Sequence, residues 1–348
     1  MKGLSILNKL IFLLNSLSLL LLLLSYISPY INPTIFWPIS FLGLLFPILF
    51  LVNFLFLVYW FIGLKKQMWA NIIVLLIGLQ YFGDYVGTHP QKSKDPSTIK
   101  VLSYNVRIFN AYKWIPNLEK ETIFNFLKKA KADILCIQEF YAPENIPDLD
   151  YEFRHIGLQT KKSQWHMAIY SNYPQIDKST VNIKGERMNN TCIYSDIVIL
   201  NDTVRVYNIH LASNWFKSSD YSFLSETTME KENIKKGVIS IVRRMRVSYQ
   251  KRAAEVLTIK EHMNNSPYPI IVCGDFNDTP LSFAYQKIKD ELADSFSACG
   301  KGFGASFVKI PGLRIDYIMH DKTFESFNYH KQKEVLSDHY AISCEIKL

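Results

Sequence analysis

The chain of 348 residues has no G-x-x-x-x-G-K-[ST] loop to cradle a nucleotide phosphate and no G-x-S-x-G elbow to expose a nucleophilic serine. Nucleotide hydrolysis on a P-loop and serine-ester chemistry on an α/β-hydrolase are therefore excluded. It also lacks any C-x-x-C pair. The five cysteines, Cys136, Cys192, Cys273, Cys299 and Cys344, are odd in number, and Cys136, Cys273 and Cys344 sit in apolar runs. Buried thiols are expected, not a zinc site or a disulfide framework. There is no internal repeat or low-complexity block. Charge is missing altogether from residues 10–31 and 35–64, and each run is as long as the ~20 residues that cross a bilayer. A third apolar stretch, 68–82, extends to Val86 with Asp84 at its interfacial end. Three transmembrane helices, within an anchor of residues 1–87, are the reading. Lys2 and Lys9 also resemble the basic start of a signal peptide, but no A-x-A-like cleavage site follows. Lys2, Lys9, Lys65 and Lys66 favour a cytoplasmic N-terminus, and three spans then place the remainder outside the cytoplasm. Lys92, Lys94 and Lys100 oppose that orientation.

What is present after residue 88 has a different character. Residues 88–98 are polar and contain proline, as a linker does, and 99–348 has the length of one large domain. The net charge of +8 is spread along the chain. That excess suits an anionic substrate without the concentrated basic patch of a dedicated nucleic-acid binder. Alternation and apolar periodicity predict strands over 100–108, 133–138, 166–171, 192–200, 204–211, 269–273, 314–319 and 340–347, with helices over 118–130 and 234–263. Many strands in mixed order with few helices favour an α+β sandwich over a doubly wound parallel sheet. Trp215, Phe216, Tyr221 and Phe223 form an aromatic excursion that either packs back on the body or makes a lip for substrate or bilayer. Arg243, Arg244, Arg246, Lys251 and Arg252 read as a solvated basic face, with phosphate binding as the alternative.

Several apolar strands end in polar residues: Asn105 and Arg107, Glu139, His210, Asp275 and Asn277, and Asp338 beside His339, with Asp316 inside the run Arg314-Ile315-Asp316-Tyr317. Each has an ordinary explanation alone: a strand cap, a surface acid or a satisfied core histidine. Together they point to one shared site, because burying so many polar groups is costly unless they pair with one another or with a cation. Alternation aims Asp275 and Asn277 to the same side. Hard carboxylate oxygens next to imidazoles suit metal-assisted attack by water. His155 and His166 have no such company and read as core histidines.

The motifs LSYNVR, IQEF, YNIHL, GDFNDTP, RIDYI and SDHY occur in this order from residue 102 to 340. They resemble the endonuclease/exonuclease/phosphatase superfamily, whose members include DNase I. The resemblance implies a four-layered α/β/β/α sandwich, here preceded by the three transmembrane helices of which it says nothing, and a phosphoester hydrolase dependent on Mg²⁺, with Mn²⁺ as a substitute. It implies Glu139, Asp338 and Asn105 at the metal. Asp275 would activate water, and Asn277 would hold a phosphate oxygen. His339, steadied by Asp316, would act on the phosphate, with His210 as the second histidine. Arg107 stands where the apurinic endonucleases of the family carry an aspartate, which disfavours abasic-site repair and offers a phosphate clamp with Asn105 and Asn277. Nucleic-acid phosphodiesters are the expected substrates. Phospholipid, sphingomyelin or inositol-phosphate hydrolysis is the alternative, and a binding module that has lost its chemistry is the third reading. No protein partner is implied.

Overall fold

The computed structural model describes residues 5–141, 147–157, 166–183, 191–214 and 231–348, so the aromatic stretch Trp215 to Phe223 lies outside the described residues. The chain divides into two compact units.

The first unit holds residues 1–83, 213–253 and 279–286. Its helices are α1 (Ile6–Ile27), α2 (Pro33–Phe36), α3 (Pro38–Leu44), α4 (Phe46–Ile62) and α5 (Met68–Phe82). Their polarity is inverted: Asn15, Ser18, Ser25, Asn53 and Asn71 are buried, whereas Leu10, Leu13, Leu17, Leu20, Leu51, Leu55 and Leu76 are exposed. Two of the buried amides, Asn15 and Asn71, satisfy each other. Asn15 and Asn71 each donate to the other's Oδ1 at 2.9 Å, Trp60 Nε1 donates to Asn15 Oδ1 at 2.8 Å, and Asn53 donates to Ser18 Oγ at 2.9 Å.

The expectation of three straight spans is corrected. Only Ile6–Tyr30, 25 residues, is by itself long and apolar enough to cross a membrane among the described residues. The second apolar run is broken because prolines open α3 and α4, and the two helices meet at 64°. A proline lacks the N–H that would continue a helix and clashes with the preceding turn. The third run stops at Phe82. Beyond it, Asp84 is a buried carboxylate held by Lys289 Nζ at 2.7 and 2.9 Å, and Val86–Thr88 forms a strand, so neither continues a span.

The second unit, 84–212, 254–278 and 287–348, carries two six-stranded sheets. Their strands, in chain order after β1 (Val86–Thr88), are β2 (Ile99–Asn105), β3 (Ile134–Phe140), β4 (Phe153–Gly157), β5 (His166–Ser171), β6 (Gln175–Thr180), β7 (Cys192–Ile199), β8 (Asp202–His210), β9 (Ile270–Asp275), β10 (Leu292–Asp294), β11 (Lys301–Phe303), β12 (Asp316–Asp321), β13 (Glu325–Lys331) and β14 (Ile342–Lys347). One sheet runs β13-β14-β2-β3-β5-β4 and the other β10-β12-β9-β8-β7-β6, while β1 pairs with β11. Period-two alternation separates two cores. Val101, Cys136, Ile169, Val206 and Cys273 face the opposite sheet, and Leu102, Tyr104, Leu135 and Ile137 face outward.

The outward residues meet Ile123 and Leu127 of α6 (Lys120–Ala130). The last turns of α7 (Lys231–Asn264) cover the other sheet, where Tyr207 hydroxyl meets His262 Nδ1 at 2.8 Å. Two short helices follow, α8 (Phe283–Lys289) and α9 (Ser295–Cys299). The result is the layered α/β/β/α sandwich. All five cysteines are buried and free. Arg252 is an exception to the solvated basic face, being buried with its guanidinium on Asn214 Oδ1 at 3.1 Å; Arg243, Arg246 and Lys251 are exposed.

Candidate active site

The parallel pairs β2–β3 and β8–β9 end at the same edge of the sandwich, one pair in each sheet. Their last residues therefore meet. Asn105 ends β2, His210 ends β8 opposite Asp275 at the end of β9, and Asp316 opens β12 opposite Asp275 from the other side. Gly274 is required by close approach: a Cβ there would lie 2.0 Å from the Ile209 carbonyl oxygen of β8.

Glu139 reaches the cluster by a bulge. The β3–β5 register shifts between Ile137 and Phe140, and Glu139 adopts a left-handed φ of 50°, a conformation that ordinary side chains rarely hold unless their surroundings enforce it. Beneath it Asn208 spans the two sheets, donating to the Ile137 and Ala168 carbonyls at 2.9 and 3.0 Å and accepting from Gln138 Nε2 at 2.7 Å.

The contacts of the expected residues follow. Asn105 Nδ2 donates to Glu139 Oε1 at 3.2 Å and to Asp275 Oδ2 at 3.0 Å. His210 Nε2 lies 3.7 Å from the same two carboxylate oxygens. Asn277 donates its backbone N–H to Asp275 Oδ1 at 2.8 Å, and its amide is turned toward the Leu211 carbonyl at 3.0 Å and Asp275 Oδ2 at 3.3 Å. His339 and Asp316 are joined through Nδ1 and Oδ2 at 2.9 Å, and His339 Nε2 is 3.6 Å from Asp275 Oδ2. Asp338 stands at the rim, where Arg107 Nη1 approaches Oδ2 at 3.0 Å. Asp275 is thus the hub, and Asn105, Glu139, His210, Asn277, Asp316 and His339 gather around it.

Two features were not legible as motifs. Lys309 Nζ is 3.9 Å from Asp338 Oδ2, and Ser306 Oγ accepts from the N–H groups of both Ile315 and Asp316 at 3.0 Å. Both belong to the stretch just before Arg314, whose only sequence signal is the Pro311-Gly312 turn. There Leu313 N–H returns to the Ile310 carbonyl and Gly312 has a φ of 85°, as the third residue of a type II turn requires.

Arg107 opens a run of four left-handed residues, Arg107, Ile108, Phe109 and Asn110, with φ from 44° to 57°. Asn110 holds the run by donating to the Ile115 and Leu118 carbonyls at 2.9 and 2.8 Å and accepting from Ile115 N–H at 3.0 Å. The turn lays the Arg107 guanidinium over Trp114, 4.0 Å from the ring centroid. His155, by contrast, bonds the Tyr194 carbonyl at 3.0 Å and is lowered to about 4 by burial, as a core histidine.

Burial raises the pKa of Glu139, with the His210 imidazole opposing and Asp338 adding to the rise. For His339 burial acts downward, but the carboxylates of Asp316 and Asp275 outweigh it and raise the imidazole to about 10. His339 is therefore an imidazolium at neutral pH, clamped between two acids.

The family model described as Endonuclease/Exonuclease/phosphatase matches residues 102–339, more than half of the chain, and contains every one of these residues. The chain belongs to the endonuclease/exonuclease/phosphatase family. A second model, a domain of unknown function (DUF8431), matches residues 8–85. Solved structures share the fold at low identity. A D. rerio TDP2 humanized by 14 mutations has a TM-score of 0.51 at 13% identity over 72% of this chain and 100% of that one. A mannosyl-6-phosphatase of Bacteroides thetaiotaomicron has 0.51 at 15% over 71% and 99%. A family protein of Bacteroides thetaiotaomicron has 0.51 at 16% over 73% and 96%. No curated protein sequence matches the chain. Arg107, Trp114 and Lys309 stand at the rim of the site.

Proposed function

We propose that the chain is a metal-dependent phosphodiester hydrolase, nuclease-like in mechanism, in which water attacks phosphorus. The observation that supports it is the convergence of Asn105, Glu139, His210, Asp275, Asp316 and His339 from both sheets at one edge.

A divalent cation fits this donor set. Glu139 is a carboxylate raised by burial, and the nearby His210 Nε2 is buried without a hydrogen-bond partner among the described residues. Local positive charge is therefore short where Glu139 sits. Asp275, Asp316 and His339 place ligand atoms within 4.8 Å of one another, but the Asp316–His339 hydrogen bond already satisfies that group. Glu139 is the better primary ligand, with Asn105 bonded to its Oε1 and Asp338 near enough to raise its pKa. Few carboxylates with room for water and substrate oxygens are what Mg²⁺ prefers. When bound, the ion would stabilise the negative charge that builds on the phosphoryl oxygens.

The protein's own groups do the rest. Asp275, fixed through Oδ1 by Asn277 N–H, orients the attacking water and takes its proton. The His339 imidazolium, held by Asp316, binds a non-bridging phosphate oxygen through Nε2 and lowers the charge that builds there. His210 protonates the leaving oxygen or neutralises the charge that develops there. Arg107 clamps the substrate at the rim. Nucleic-acid phosphodiesters suit this arrangement, and among the fold neighbours a D. rerio TDP2 is complexed with single-strand DNA product. The apolar helix Ile6–Tyr30 favours membrane residence and, with it, a phospholipid or inositol-phosphate substrate as the second reading. With Lys2 ahead of this helix and Lys9 in its first turn, the N-terminus is read as cytoplasmic and the catalytic unit as lying on the other side.

The test is a panel of polynucleotides, phospholipid micelles and inositol phosphates given to the full-length protein in non-ionic detergent, with and without Mg²⁺. Mg²⁺-dependent cleavage is expected. Glu139→Gln and Asp275→Asn are each expected to lower kcat by on the order of 10²-fold or more with the circular dichroism spectrum retained. Turnover at wild-type rates in both variants would remove Glu139 and Asp275 from the mechanism, and a wild type that turns over none of the panel would return the chain to the class of binding modules.

A further inference from the structure

The backbone that carries Asp316 is held from below by two supports, and both are tied to residues 84–88, the segment that directly follows the last apolar helix. The first support is Arg314. It is 1% exposed, its Nη2 donates to both carboxylate oxygens of Asp294 at 2.6 and 2.7 Å, and its Nη1 donates to the backbone carbonyl of Asp84 at 2.8 Å. Asp84 is fixed in turn by its own side chain, which takes Lys289 Nζ at 2.7 and 2.9 Å and the Ser297 hydroxyl at 2.6 Å. The Arg314 carbonyl accepts from the Tyr317 hydroxyl at 2.8 Å.

The second support is Ser306, whose Oγ receives the N–H groups of Ile315 and Asp316. The stretch leading to Ser306 is strapped to the same segment. Gly304 N–H donates to the Tyr85 carbonyl at 3.0 Å, and Val86, Gly87 and Thr88 pair with Phe303, Gly302 and Lys301. The fit is close. A Cβ on Gly87 would lie 2.3 Å from the Gly300 carbonyl oxygen, and one on Gly304 would lie 2.8 Å from Arg314 Cδ.

We propose that Asp84 is a positioning residue for the Asp316–His339 pair, acting through Arg314 and the Ser306 stretch, so that the segment following the apolar helix is a working part of the catalytic site and not a linker. This rests on the reading of Asp316 and His339 as the catalytic pair. A buried carboxylate that orders two backbone supports sets the depth and angle at which Asp316 meets His339. Losing it leaves the fold's sheets intact but lets the pair drift, and misplacement of a catalytic group by about 1 Å costs on the order of 10²-fold in rate.

The experiment uses the full-length protein in non-ionic detergent and two readouts: kcat against KM on whichever phosphodiester the wild type cleaves, and the low-field proton resonance of the His339 Nδ1–H bonded to Asp316. Asp84→Ala and Gly87→Val are expected to lower kcat about tenfold or more with KM changed less than about twofold, and to shift or broaden the low-field resonance. Asp84→Asn, which keeps the shape and the Ser297 bond, is expected to fall between them and wild type. Asp196→Asn breaks a comparably buried pair, with Arg205 at 2.6 Å. It is expected to lower the melting temperature but leave kcat and the resonance in place. Wild-type kcat and resonance in folded Asp84→Asn and Gly87→Val would overturn the inference, as would an equal loss of kcat in Asp196→Asn. Should the wild type cleave nothing, the hydrolase reading fails, and the resonance still decides whether Asp84 holds the pair.

Discussion

At the scale of single residues, the decisive pair is His339 and Asp316. With its pKa raised to about 10 from about 6.5 in an unfolded chain, His339 binds a proton more tightly folded than unfolded. The stability gained is therefore fully present below about pH 6.5 and lost as the pH rises toward 10. The expected outcome, without added metal, is a melting temperature that declines across that alkaline window in the wild type and declines less in Asp316→Asn, where the neutral amide no longer holds the imidazolium. Differential scanning fluorimetry across pH checks it, and equal slopes would remove the pair from the account. The same protonation state agrees with the proposed roles. An imidazolium can bind and neutralise an oxyanion but cannot accept the proton of water, which the proposed mechanism gives to Asp275, at the centre of the cluster with Asn105, Asn277 and His210 around it.

At the scale of elements, the left-handed run from Arg107 to Asn110 is where backbone strain and function meet. Each left-handed residue other than glycine costs about 1–2 kcal/mol, and the three hydrogen bonds of the Asn110 side chain, with Phe109 packed on Phe124 and Phe140, offset that cost. Asn110→Ala removes the bonds and leaves two carbonyls without their donor. The expected loss is about 2–3 kcal/mol in urea denaturation, together with a raised KM as Arg107 leaves Asp338 and Trp114. A loss of stability with KM unmoved would show that the turn does not place Arg107 for substrate.

The run also shows what the sequence could and could not convey. The apolar residues that continue to residue 108 predict strand there, but the chain turns left-handed after Val106, and nothing in Val-Arg-Ile-Phe-Asn announces that. Central strands such as β3, β8 and β9 were legible because both faces are buried and apolar. The edge strands β4, β6, β10 and β13 and the short β1 and β11 were not, because half-exposed residues carry no such pattern; β6, for example, is exposed over most of its length. The site residues were legible because strand ends carried them in family order. Lys309 and Ser306 sit in a loop whose geometry is fixed by contacts far along the chain, and Asp84 read as an interfacial acid because its partner Lys289 is two hundred residues away.

At the scale of the whole molecule, the two units follow opposite rules of burial. The second hides isoleucine and valine between its sheets, as a protein in water does. The first hides Asn15, Asn53 and Asn71 and exposes leucine after leucine along α1. Exposed apolar surface on that scale marks a membrane or protein interaction site, and in hydrocarbon the polar side chains are the groups that must find partners inside, each such bond contributing about 0.6 kcal/mol on average. The reciprocal Asn15–Asn71 pair and the Trp60 bond are what that medium selects. The full-length chain is therefore expected to remain with the membrane pellet after an alkaline carbonate wash and to be released by non-ionic detergent. Asn15→Leu should keep it in the pellet while lowering the melting temperature in detergent, since Asn71 and Trp60 are left without their shared partner. Recovery of the wild-type chain in the carbonate supernatant would mean that a protein surface, not lipid, covers those leucines.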